Sequence, residues 1–325
     1  MSTACVKSVG IDVSKRELVV AGITSAGMLP PKVFPNTHRG SLSLARFLKA
    51  QETTAAVPCV VESTGDFHLL SSLILAEQGF SVKCINPLMT KKYQRSSVRN
   101  TKSDSVDALR LADIGMHESA LPIFIAEKSI IRAKKMAASC AHLERVAQML
   151  SGHIAQARRT SHQLGFEMDL SETESALRMI KKQIHTLTMK LIAERSERAV
   201  RLSKKCKGLT DRKMAVVDAY LRGRTFETRD QLIAFAGLDV MTRRSGAWRG
   251  KERISKRGNA YFRKTLYQIA WGLSRYEPTY HAYYLTLRAK KKHFLTCMVA
   301  VARKFLRFIF AWYFGSLSVS TTLTA

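Results

Sequence analysis

At 325 residues and 46% hydrophobic content, the chain can bury one large or two ordinary domain cores, which excludes a disordered protein. Its 53 Lys and Arg against 25 Asp and Glu give a formal charge of +28, which argues against a basic partner and for a polyanionic one. The excess is uneven: residues 1–120 hold 14 Lys/Arg and 10 Asp/Glu, and the remainder holds 39 and 15. Cations that neutralise phosphates release condensed counterions, so nucleic acid is the leading partner of the basic part. A solvated basic surface or an anionic membrane are the alternatives. Six cysteines are scattered without CxxC or paired-His spacing, which disfavours a zinc site or a disulfide framework and fits a reducing cytoplasm. "MSTACVKSVGIDVSK" lacks the apolar run of a signal peptide.

In chain order, "VKSVGIDVS" and "ELVVAGIT" read as adjacent strands, with "KVFPNT" as a third. "SLSLARFLKA" is a short helix and "AAVPCVVES" a β-branched strand. "DFHLLSSLILAEQG" is a helix closed by Gly79, "FSVKCINP" a buried strand, and helices run from Pro87 through Asp104 to Ile114. This order describes a mixed sheet with helices packed on it.

From about residue 120 to 205 the strand signals stop. Leu143, Val146, Leu150 and Ile154 form one helical stripe; Leu177, Ile180, Ile184, Leu187 and Leu191 follow with heptad spacing. "SETE" at 171–174 reads as a capping box that pairs Ser171 with Glu174. A helical hairpin is expected, packed on itself or on a second subunit. Residues 206–325 read as mostly helical around a basic loop at 239–258, and "HFLTCMVAVARKFLRFIFAWYF" as a buried helix, because three cations interrupt it before the roughly 20 residues of a membrane span. The expected domains are therefore 1–120, 121–205 and 206–325.

Two acids lie on strands. Asp12 alternates with Ile11 and Val13, towards the less apolar side of its strand, and Glu62 ends the strand "CVVES". Asp104 and Asp107 sit three apart on one helix face, where like charges repel unless a cation lies between them. Taken singly, Asp104 reads as a first-turn acid, Asp107 as a solvated helix residue and Glu62 as a strand end. Together, four converging carboxylates suit two Mg²⁺-type ions, hard cations that prefer oxygen and stabilise the attacking and leaving oxygens of a phosphoryl displacement. Arg243, Arg244, Arg249, Lys251, Arg253, Lys256, Arg257, Arg263 and Lys264 crowd one loop and the helix it enters, a plausible phosphate cradle that also contains Ser255.

"GIDVSK" (10–15), "VESTG" (61–65), "INP" (85–87), "TKSDSVDA" (101–108), "FAGL" (235–238) and "ISKRGN" (254–259) are similar, in order and spacing, to motifs of one family. It is the DEDD transposases of the insertion-sequence 110 type, which includes pilin-gene invertases, and the resemblance covers essentially the whole chain. It implies an α/β plus α architecture: a RuvC-like, RNase H-like mixed sheet with flanking helices, a helical coiled-coil linker and a mostly helical C-terminal transposase domain. It maps the four acidic metal ligands onto Asp12, Glu62, Asp104 and Asp107, holding Mg²⁺ in a two-metal site, with Mn²⁺ as a substitute. It implies a serine nucleophile at Ser245 of "RRSGAW", forming a phosphoserine link to DNA while Arg243, Arg244 and Arg249 neutralise the phosphate. Ser255 is the rival; its place before a Gly and a helix suits phosphate binding better than attack.

The family pattern further implies double-stranded DNA and a structured guide RNA as partners, a homodimer or tetramer through the coiled coil, no membrane, and a prokaryotic cytoplasm at the nucleoid. One departure is "KGLT" (207–210), which keeps Gly208 of a "PGIG" element but not its proline or second glycine. That puts a DNA-backbone contact there in doubt. The expected function is a metal-dependent DNA transposase or site-specific recombinase. An invertase of the same family, a RuvC-like junction endonuclease using water, and an inactive nucleic-acid-binding scaffold are the alternatives.

Overall fold

The computed structural model describes residues 5–63, 65–94, 103–241, 244–245, 248–249 and 253–315. The chain divides into two compact units, Met1–Ala126 and Glu127–Ala325.

The first unit is α/β. β1 (Val6–Val13), β2 (Glu17–Thr24) and β3 (Gly27–Pro35) form an antiparallel meander; then come α1 (His38–Ala50), β4 (Pro58–Glu62), α2 (His68–Glu77), β5 (Ser81–Ile85), α3 (Pro87–Gln94) and α4 (Asp104–His117). The mixed sheet has the order β3-β2-β1-β4-β5, with β4 parallel to both β1 and β5. Strand alternation assigns its two faces. Val9, Ile11, Leu18, Val20, Cys59 and Val61 pack with Leu44 and Leu48 of α1 and Leu75 of α2. On the other face Val60 and Ile85 meet Leu111 and Ile114 of α4, and Val19 and Ala21 meet Ala108.

β3 begins five residues before the expected "KVFPNT". Pro30 and Pro31 hide it in the sequence, but it is an edge strand, where a missing N–H costs no ladder bond, and the register slips beside them.

The second unit begins with α5 (Lys128–Leu164) and α6 (Ser171–Ala193), which run antiparallel: Arg132 pairs with Glu194 at one end and Arg158 with Glu174 towards the other. Of the two stripes, Ile154 and Leu191 are buried, whereas Leu143, Val146, Leu150, Leu177, Ile180, Ile184 and Leu187 are half-buried. The expected capping box is displaced. Leu170 is the residue before α6, and the backbone N–H of Ser171 is taken by Asp169 Oδ1 at 2.9 Å. Asp169 is better placed, two residues ahead, in an Asx-type turn.

α7 (Glu197–Lys205), α8 (Asp211–Leu221), α9 (Arg229–Phe235), the short strands β6 (Val240–Met241), β7 (Arg244–Ser245), β8 (Trp248–Arg249) and β9 (Arg253–Ile254), then α10 (Ala260–Tyr276), α11 (Pro278–Ala289) and α12 (Phe294–Phe314) complete the unit. Their core is built on Leu202, Met214, Leu232, Phe262, Ile269, Phe305 and Ile309. No helix among the described residues is long and apolar enough to cross a membrane.

Candidate active site

The motif "GIDVSK" resolves into three separate tasks. Ser8, Gly10 and Asp12 alternate onto the face of β1 that α4 covers. A Cβ on Gly10 would lie 1.9 Å from the Ala108 carbonyl oxygen of α4, so only glycine lets helix and strand approach this closely. Further along α4 the same demand recurs in the opposite direction, since a Cβ on Gly115 would meet Ser8 Oγ at 2.2 Å and Val60 Cγ2 at 2.8 Å. Beyond Asp12, Ser14 closes the β1–β2 turn: its N–H donates to the Glu17 carbonyl at 2.9 Å and its Oγ accepts from the Glu17 N–H at 3.0 Å.

This close packing carries the acids together. Ala108 lies over Gly10, so the preceding turn of α4, which holds Asp104 and Asp107, reaches towards Asp12. Ser103 caps that turn, its Oγ accepting from the Val106 N–H at 3.3 Å, and Asp107 accepts from Arg110 at 2.7 Å. Glu62 arrives from the side. Ile11 pairs with Val61 in the parallel β1–β4 ladder, so Asp12 and Glu62 are the next residues of the two neighbouring strands. Thr90 of α3 donates its hydroxyl to Glu62 Oε2 and to the Pro87 carbonyl, tying the Glu62 carboxylate to α3.

The electrostatic consequence falls on Asp12. Partial burial, followed by the negative charges of Asp104 and Asp107, and to a lesser degree Glu62, pushes its carboxyl from an ordinary 3.8 up to about 6. The backbone N–H of Val13 works in the other direction without reversing the shift. No three His, Cys, Asp or Glu among the described residues close to metal-ligand distance. The donor set is nevertheless all oxygen, and its mutual repulsion is the kind a hard divalent cation relieves.

The basic loop is held by its two ends. β6 pairs with β9 (Val240 opposite Ile254), and the "FAGL" and "ISKRGN" segments meet backbone to backbone. A Cβ on Gly258 would lie 2.1 Å from the Phe235 carbonyl oxygen, and one on Gly237, which has φ +66°, 2.7 Å from the Gly258 nitrogen. Ser255 donates from its backbone N–H to the Asp239 carbonyl at 2.9 Å and from its hydroxyl to Asp239 Oδ1. Its hydroxyl therefore braces the stem. Asn259 Oδ1 then caps α10, accepting from the Tyr261 and Phe262 N–H groups at 2.9 and 3.1 Å.

Within the loop the backbone of Ser245 pairs with that of Trp248, in a ladder of β7 with β8. Arg243 and Lys251 lie outside the described residues, as do the side chains of Arg244, Ser245 and Arg249. Arg253, Lys256 and Arg257 are exposed, and Lys256 has φ +55°. Arg263 donates to the Gly258 carbonyl at 2.5 Å, and Lys264 pairs with Glu144 at 3.5 Å. In "KGLT", Gly208 is fixed by packing: at φ +82° a Cβ would lie 2.6 Å from the Gly272 carbonyl of α10.

With this geometry in place, residues 9–149 match the family model described as transposase, for the IS110 DEDD transposase domain, and residues 201–285 match that of the IS116/IS110/IS902 transposase family. The chain belongs to the IS110 transposase family. No curated protein matches it. Family membership implies a DNA transposase or recombinase function, and therefore DNA binding. The first IS110 match takes in Asp12, Glu62, Asp104 and Asp107 with most of β1 and all of β4, α3 and α4, and the second takes in the stem of the basic loop. Thr90 and Arg110 were not singled out from the sequence. Arg110 had a signal, three residues beyond Asp107 on one helix face. Thr90 had none, because its partner is 28 residues away.

Proposed function

We propose that this transposase cleaves and exchanges DNA strands through a serine nucleophile, with divalent metal held by an RNase H-like acidic site. The observation that carries the reading is the convergence of Asp104, Asp107 and Glu62 on Asp12, whose carboxyl is pushed up to about 6 first by its burial and then by these neighbouring charges. Asp12, Glu62, Asp104 and Asp107 would hold Mg²⁺, or Mn²⁺ in its place, which when bound supplies charge stabilisation for the oxygens around the reacting phosphorus. Binding would draw Asp107 from Arg110 and Glu62 from Thr90.

Ser245 would form the Oγ–P bond to a DNA phosphate while the bond from phosphorus to one deoxyribose oxygen breaks, leaving a phosphoserine ester and a free strand end. The hydroxyl proton passes through solvent to the departing deoxyribose oxygen, which leaves as a strand-end hydroxyl. Arg243, Arg244 and Arg249 would neutralise the phosphate, and Arg253, Lys256 and Arg257 would hold the backbone on either side. Lys251, Ser255, Arg263 and Lys264 complete the basic surface of this reading. Ser255 supports the loop that presents the nucleophile, a role consistent with its bond to Asp239. The reading includes a structured guide RNA and a homo-oligomer assembled through the α5–α6 hairpin, with the acidic site of one subunit completed by the serine domain of another.

Ser245→Ala tests the nucleophile. Strand exchange and the covalent protein–DNA adduct are expected to disappear while DNA binding persists. Unchanged cleavage by the variant would overturn the serine and favour water, as in a junction endonuclease. Sequencing the RNA that copurifies with the protein tests guidance: one abundant structured species is expected.

A further inference from the structure

We infer that the turn joining α11 to α12 is a second contact for the backbone of duplex DNA, separate from the basic loop. It holds Lys290, Lys291 and Lys292, all exposed, between Ala289 at the end of α11 and His293 at the cap of α12. The turn lies beyond the matched residues 201–285, so family membership assigns it no task. The inference deepens the DNA-binding part of the proposed function and rests on it.

The charge here is unopposed. No Asp or Glu follows Glu277 in the sequence, whereas seven Lys and Arg do. Glu277 itself is buried, and its Oε2 accepts from the Lys207 N–H at 3.0 Å. Among the described residues, none of the three lysines pairs with an acid. The N-terminus of α12, where His293 Nδ1 accepts from the Leu295 N–H at 3.3 Å, adds partial positive charge beside them.

Cations at a helix C-terminus can serve only its orphan carbonyls, but here the backbone already does that. The N–H groups of Lys290, Lys291 and Lys292 donate to the carbonyls of Thr286, Arg288 and Leu287 at 3.3, 2.9 and 3.3 Å. Arg288 Nη1 donates to the Lys292 carbonyl at 2.9 Å and braces the turn. The three lysine side chains are therefore not needed to close it. Lys291 also has φ +55°, the left-handed position at a helix end that ordinarily carries glycine. A lysine there costs conformational energy, and a role for its charge accounts for that cost.

Lysines are point charges without a planar fork, and no Phe, Tyr or Trp lies among them, so the turn suits phosphates and not bases. Its position favours a duplex. α12 is about 30 Å long, and its far end leads back to the stem of the basic loop. There Phe314 meets Phe226 at 5.2 Å, Phe226 meets Phe235 at 5.4 Å, and the Phe235 carbonyl packs on Gly258. Turn and stem thus stand at opposite ends of one helix, a spacing that about nine base pairs cover and a stiff duplex spans without bending.

The test titrates full-length protein, in EDTA, with a labelled duplex of about 24 base pairs across a range of salt. Lys290→Gln, Lys291→Gln and Lys292→Gln together are expected to flatten the slope of log affinity against log salt by about 2.7. Between about 50 and 200 mM salt the wild type should then lose about forty times more affinity than the variant. The corresponding triple Arg variant is expected to keep the wild-type slope. Lys291→Gly is expected to flatten the slope by about 0.9 with a melting temperature no lower than that of the wild type, which separates charge from folding. Equal slopes for the Gln variant and the wild type would overturn the contact. So would a lower melting temperature for Lys291→Gly, a larger loss on double-stranded RNA of the same length, or a loss seen only on phosphatidylserine vesicles. Equal slopes remove the turn alone, whereas a wild type that binds no duplex removes the proposed function with it.

Discussion

Asp12 titrates near 6 because its own burial and three neighbouring carboxylates all favour the proton, so in the folded chain at neutral pH it carries its charge against the fold. The unfolded chain releases that proton near 3.8, so between about 3.8 and 6 the folded state binds more protons. The stability attached to this group is therefore complete below about 3.8 and lost as pH rises through about 6. Asp12→Asn removes the charge and should raise the melting temperature in EDTA at about pH 7.5, with the gain disappearing below about pH 4. Mg²⁺ should raise the melting temperature of the wild type and not that of the variant; equal melting in EDTA at the higher pH would refute the repulsion. The alternation of Asp12 with Ile11 and Val13 made its side of the strand readable. What the sequence did not reveal was Gly10, since the helix that presses on it is about 100 residues further along the chain and leaves no mark on local pattern.

Helices and strands were legible where burial is regular. β1, β4 and β5 are β-branched and covered on both faces, so their runs stand out, and α10 and α12 declare themselves by length and periodicity. Prolines masked the first half of β3, and a strong "SETE" pattern drew attention from Asp169, because both depend on the environment rather than on the residues themselves. The pairing of "FAGL" with "ISKRGN" was equally invisible: two short motifs became one stem through backbone hydrogen bonds and close glycine contacts between them. That stem gives a paired prediction. Gly258→Ala drives a Cβ against the Phe235 carbonyl and should destabilise the protein by about 1–3 kcal/mol, lowering strand exchange with it. Gly152→Ala, in the middle of α5 with open space around it, should stabilise by about 0.4–1 kcal/mol. Chemical denaturation measures both, and a Gly258→Ala protein as stable as the wild type would mean that the stem is not close-packed.

For the whole molecule, the asymmetry of charge decides where nucleic acid is held. A surplus concentrated in residues 121–325, where Lys/Arg exceed Asp/Glu by 39 to 15 against 14 to 10 before them, predicts that affinity depends on cations of the second unit and hardly on those of the first. The count alone does not say which cations touch phosphate. Lys264 and Arg212 are paired with Glu144, and Arg132 with Glu194, so part of the basic excess is already engaged inside the protein. Lys256 and Arg257 are exposed beside the stem, whereas Arg39 and Arg46 are exposed on α1 of the first unit. Each phosphate-neutralising cation contributes about 0.9 to the slope of log affinity against log salt on duplex DNA. Replacing Lys256 and Arg257 together by Gln should therefore flatten that slope by about two and weaken binding at low salt, while the same change at Arg39 and Arg46 should leave both as they were. An equal effect from the two pairs would mean that DNA spreads over both units and that the charge asymmetry serves something other than duplex binding.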